Sequence, residues 1–111
     1  MRDKILSLFG IAAKAGKLAC GSFAVEKAVK AGKACYVIVT EDASDNTKKD
    51  FHDMCAWYHV PLMFYSSRGE LGHALGKGER VVAAITDSGL AEAVSRQLPA
   101  EVKDGGIDYG K

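Results

Sequence analysis

A chain of 111 residues, 48% hydrophobic and 26% charged, is long enough to bury one core without disulfide or metal staples. Its net charge of +1 argues against a wholly basic protein, and three cysteines (Cys20, Cys35, Cys55) with no Cys-x-x-Cys spacing argue against a disulfide framework or a zinc site. No apolar run reaches membrane-spanning length, so a soluble protein of the reducing cytoplasm is expected. The near-zero charge hides an asymmetry. Residues 1–40 hold seven Lys/Arg against two acids, and residues 41–111 hold eight against twelve. That imbalance points to one basic face and raises the prospect of a nucleic-acid partner.

The N-terminal stretch MRDKILSLFGIAAKAGK carries Asp3 and lacks a small-residue cleavage pattern, so it does not read as a signal peptide. Ile5, Leu8, Phe9 and Ala12 share one stripe, predicting a helix from about Asp3 to Ala15 that stops at Gly16. Leu18–Cys20 is long enough only for a short strand. The next stretch, GSFAVEKAVKAGK over 21–33, predicts an amphipathic helix. Gly21 lets the chain turn, Ser22 is placed to cap, and Val25, Ala28 and Val29 face the core. Lys27, Lys30 and Lys33 step round the other side. A helix start offers free N–H donors and partial positive charge, which suit phosphate oxygens, although a solvated lysine face explains the same pattern.

Tyr36–Thr40 is a continuous β-rich run, hence a central strand covered on both faces. A polar loop with three candidate caps (Asp42, Ser44, Asp45) then leads to a helix marked by Phe51, Met54, Cys55 and Tyr58. His59 and Pro61 end it, and Leu62–Tyr65 predicts the third strand. Ser66 or Ser67 caps a short helix through Leu75, the loop GKGER follows, and Val81–Ile85 is the fourth strand. Asp87 or Ser88 opens a last helix with Leu90, Ala91, Val94 and Leu98 on its apolar side. Residues 99–111 show no periodicity and are expected to form a flexible tail beyond a single domain over 1–98. Helices alternating with strands predict an α/β fold with a largely parallel sheet between two helix layers.

Little in the chain suggests catalysis. The phosphate-loop and dinucleotide glycine patterns are absent, because Gly72, Gly76 and Gly78 follow a helix and do not open one. Asp42 and Asp87 follow strands, where catalytic acids often sit, but both are equally placed as helix caps. His52, His59 and His73 share no metal-ligand spacing, and no nucleophile lies in a recognisable elbow. The expectation is therefore no enzyme, no metal and no cofactor. If the Gly21 helix start, the loop after Thr40 and the Gly76–Val82 loop meet at one edge, then Lys17, Lys27, Arg68, Lys77 and Arg80 ring a surface suited to bent or bulged RNA.

Three segments carry a resemblance: IAAKAGKLACG (11–21), VTEDASDNTKK (39–49) and LGHALGKGERVVAAITD (71–87). They resemble the kink-turn RNA-binding ribosomal-protein family of L7Ae and L30e, and within it the small bacterial members of YlxQ type. The resemblance spans about residues 3–98. It implies a three-layer α/β/α sandwich with a mixed four-stranded sheet, mostly parallel on the element order, and structured RNA, ribosomal or other noncoding, as the partner of a free monomer, with ribonucleoprotein components as further partners. The family motif at the second helix is Gly-x-Asn-Glu-x-x-Lys. Gly21 and Lys27 match it, while Phe23 and Ala24 replace the Asn–Glu pair that reads sheared G·A pairs in the family. Phe23 can stack on a base or pack inward. The implied RNA-binding set is Lys17, Gly21, Ser22, Phe23, Lys27, Lys30, Arg68, Lys77, Gly78 and Arg80. A protein–protein module that keeps the fold without kink-turn specificity is the alternative.

Overall fold

The computed structural model describes residues 3–98, so the expected tail lies outside the described residues. The elements run α1 (Lys4–Lys14), β1 (Leu18–Cys20), α2 (Ser22–Lys30), β2 (Tyr36–Val39), α3 (Asp45–Tyr58), β3 (Leu62–Phe64), α4 (Arg68–Ala74), β4 (Val82–Ile85) and α5 (Ser88–Arg96). Every element matches the sequence expectation to within a few residues. Glycines close three of the described helices, the first of them as expected: Gly16, Gly32 and Gly76 all adopt positive φ just past a helix end, a conformation that costs glycine nothing. His59 takes the left-handed position after α3, at φ 59°.

Strand alternation builds the two halves of the core. Tyr36, Ile38, Met63, Ala83 and Ile85 point to one face of the sheet and pack with residues of α1, α4 and α5. Val37, Val39, Leu62, Val82 and Ala84 point to the other and pack with α2 and α3. All four residues of β2 are buried because both faces are covered, which is why this strand reads as an unbroken apolar run. Phe9 is fully buried under α1 and Val25 and Val29 under α2, as their spacing predicts, but Leu6 rather than Leu8 completes the buried stripe of α1. Cys55 is buried; Cys20 and Cys35 are half-buried beside the core.

The three-layer sandwich holds, and the direction of the strands needs correcting. The order is β1-β4-β2-β3, and only β2–β3 pair in parallel; β4 runs antiparallel to both neighbours. The sheet is mixed and mostly antiparallel. The cause is α4. Its seven residues and the loop after them do not carry the chain to the opposite edge of the sheet. The segment after it folds back along α4, with Lys77 N–H donating to the Gly72 carbonyl (2.8 Å) near the helix end and Arg80 N–H to the Arg68 carbonyl (3.1 Å) at its start. The chain therefore enters β4 at the edge where it left β3, and β4 has to run the opposite way.

Candidate nucleic-acid interface

Because of that reversal, four chain segments meet at one edge of the sheet, called here the upper edge. Gly21 N–H donates to the Val82 carbonyl (3.0 Å) and Thr40 N–H to the Val81 carbonyl (2.9 Å). Glu41 N–H donates to Ser66 (2.9 Å), so the α2 start, the 40–44 loop, the α4 start and the 76–81 loop form one rim. The sequence expectation of a shared edge holds.

The start of α2 differs from the expected capped form. Gly21, not Ser22, is the cap residue; it sits at φ 94°, ψ 157°, a region open essentially to glycine, and no side chain caps the helix. Val25 N–H bonds the Gly21 carbonyl as a regular first helical bond. Ser22, Phe23 and Ala24 thus present backbone N–H groups with no partner inside the helix, at its positive end. Phe23 points outward and is 80% exposed, the most exposed large apolar residue among those described. Helical spacing sets it about 200° from Val25, so its outward direction is readable from the sequence.

The basic residues distribute less simply than the charge asymmetry suggests. Lys27 is exposed on the second turn of α2, and Lys77 and Gly78 are exposed on the 76–81 loop. Lys17 is not at this edge. Thr86 N–H donates to its carbonyl (2.9 Å), which places it beside the far end of β4, a strand length of roughly 10 Å away. Lys30 lies in the last turn of α2 and is paired with Glu26 at 2.7 Å, so its expected role at the rim fails on both position and charge. The lysines of residues 1–40 spread over two helix layers and both edges, because α1 and α2 lie on opposite faces of the sheet.

Arg68 and Arg80 reach the rim but are held by the protein itself. The two carboxylate oxygens of Asp42 accept from the Arg68 backbone N–H at 3.0 and 3.2 Å, and the Arg68 guanidinium donates to the Asp42 carbonyl at 2.7 Å. The Thr40 hydroxyl beside it, then the Arg68 N–H and guanidinium, hold the Asp42 carboxyl below its ordinary value. This clasp ties the loop after β2 to the start of α4. It joins residues far apart in sequence, and no local pattern announces it. Arg80 folds its guanidinium back onto the carbonyls of Gly78 (3.3 Å) and Glu79 (2.8 Å).

A second unannounced feature sets the loop. Gly72 lies inside α4 where a Cβ would overlap the Gly78 carbonyl, so only glycine lets the 76–81 loop pack on the helix. A glycine in mid-helix is the signal that could have revealed it. On the α3 side, a groove of about 360 Å³ runs beside Ser22 and is lined in part by Glu26, Asp50 and Asp53. Glu26 and Asp53 there are paired with Lys30 and Lys49, at 2.7 and 2.8 Å. Asp87 accepts from Leu90 N–H (2.9 Å) at the start of α5, so both candidate catalytic acids are engaged at helix starts. Among the described residues no cluster of His, Cys, Asp or Glu could hold a metal, and no helix is long and apolar enough to cross a membrane.

The sequence profile described as the ribosomal protein L7Ae/L30e/S12e/Gadd45 family matches residues 3–95. The chain belongs to this family. Two relatives of the chain are named RNA-binding protein YlxQ. The one from Bacillus subtilis (strain 168) is 44% identical over 84 residues, covering 76% of this chain and 84% of the relative. The one from Enterococcus faecium is 38% identical over 91 residues, covering 82% and 87%. Among solved structures, a protein of unknown function from Bacillus halodurans is similar with a TM-score of 0.81 and 41% identity, over 84% of this chain and 94% of that one. The Giardia lamblia 15.5kD RNA binding protein is similar with a TM-score of 0.71 and 28% identity, over 86% and 89%. Family membership extends over nearly the whole described domain, so the rim belongs to the shared fold and is not an appended part.

Proposed function

We propose that this protein is a non-catalytic, cytoplasmic binder of structured RNA, of the ribosomal or another noncoding kind with a kink-turn-like bend, and that it acts as a monomer when free. The observation that carries the reading is the bare start of α2 within a rim of converging loops, in a family with relatives named for RNA binding. Three unpartnered N–H groups and the exposed lysines Lys27 and Lys77 receive phosphates. Arg68 acts here chiefly as a positioning residue, since Asp42 already offsets its charge.

Electrophoretic mobility shift across a salt series tests the proposal. Affinity falls steeply from low to physiological salt, because each neutralised phosphate releases counterions. Lys27→Glu abolishes the shift and leaves the melting temperature nearly unchanged, since Lys27 is exposed. No shift at any salt with a panel of bulged ribosomal RNA fragments would falsify the reading. A protein–protein module is the second reading, favoured by the exposed Phe23 ring, an apolar group of the kind that anchors interfaces. A pull-down from lysate that survives nuclease treatment separates the two.

A further inference from the structure

We infer that Phe23 grips the RNA by stacking on an unpaired base, and that this makes recognition at the α2 start tolerant of which base is offered. The inference rests on the proposed RNA binding and specifies how the site reads its ligand.

The reason lies in what the rim has left to offer. Its side chains able to read a base edge are largely engaged within the protein: Arg68 with Asp42, Arg80 with two loop carbonyls, Ser66 with Glu70 at 2.7 Å. Ala24, next to Phe23, has no polar group, and Ser22 offers a single hydroxyl. Beside the exposed carboxylates of Glu41 and Glu79, which repel phosphate, two kinds of group remain. One is cationic, Lys27 and Lys77, both exposed and without an ion pair. The other is the Phe23 ring, 80% exposed beside the open helix start. A ring next to cations is the combination that holds nucleic acid through base faces and phosphates. Every base has a π-face, so such a grip is indifferent to sequence, whereas edge readout needs a matched donor and acceptor. The exposed position also carries no folding role for the ring, since Val25, Ala28 and Val29 supply the buried face of α2.

The test uses the full chain and a fluorescein-labelled RNA hairpin with a short internal bulge, prepared with each of the four bases and with an abasic site at the bulge. Expected is that Phe23→Ala weakens binding about five- to a hundredfold, the worth of one stacked base, and that Phe23→Trp binds within about twofold of the parent. The four bases differ by less than about fivefold for the parent protein. The abasic hairpin weakens the parent as much as Phe23→Ala does, and has no further effect on that variant. Equal binding by parent and Phe23→Ala, with salt dependence intact, overturns the stacking role but leaves RNA binding standing. A strong preference for one base overturns the tolerance. No binding by the parent overturns both inference and proposed function, and loss of a nuclease-resistant protein partner on Phe23→Ala assigns the ring to that partner instead.

Discussion

Among the described residues, four of the five helices begin in one way and α2 begins in another. At α1, α3, α4 and α5 the side chains of Asp3, Ser44, Ser67 and Asp87 each accept the N–H three residues on. α2 opens on a glycine, which has nothing to fold back. Against alanine such a cap contributes about 1 kcal/mol, and against glycine only a few tenths, so leaving α2 without one costs the fold little. The difference separates helix ends that serve the fold from one end whose donors remain available to something outside it.

Substitutions can sharpen or break that contrast. The largest effect is expected from Gly72→Ala. The added methyl meets the Gly78 carbonyl, backbone that cannot swing aside, so a loss of about 1–3 kcal/mol is expected together with weaker RNA binding, because the 76–81 loop must move. Thermal melts and mobility shifts on the same sample check both. Next are the caps. Asp87→Ala lowers stability by about 1 kcal/mol and leaves RNA affinity unchanged, while Ser22→Ala stays within about 0.5 kcal/mol of the parent. A stability loss at Ser22 equal to that at Asp87 would show α2 to be capped after all, and the contrast would vanish.

The smallest effect concerns acid. Asp42 has its carboxyl lowered from 3.8 in the folded protein, so its charged form stabilises the fold above that pH, and the contribution is lost as pH falls through the lower native value. The melting temperature of the parent should exceed that of Asp42→Asn by a constant margin near neutrality, and the margin should close below about pH 4. Urea or thermal melts of the two proteins over a pH series read this directly. A margin unchanged down to strong acid would mean that the clasp with Arg68 does not depend on the carboxylate charge.

What the sequence discloses follows the range of the interaction. Helix periods, the caps at Ser67 and Asp87, and the glycine stops at Gly16, Gly32 and Gly76 depend on neighbours a few residues away, and all are legible. The direction of β4 depends on how α4 and its loop fold back, and alternation of helices with strands does not encode that. The same holds for the site. Gly21, Phe23 and Lys27 are located by their place on one helix. The engagement of Arg68 by Asp42 is a tertiary contact between two loops, and the separation of Lys17 from the rim depends on the run of β1. Charge counted along the chain predicted one basic face, and the fold dispersed it.

The excursion between β3 and β4 leaves and rejoins the sheet at the same border, clasped where the Arg80 N–H meets the Arg68 carbonyl. A detour closed at its own neck can be lengthened, shortened or rewritten without shifting the pairing of any strand, since loop length adds only slowly to the entropy of closure. Its inner side is fixed by Leu71 and Leu75, which are buried in the core, so the part open to change is the exposed turn of residues 76–79, a fingertip on a constant palm.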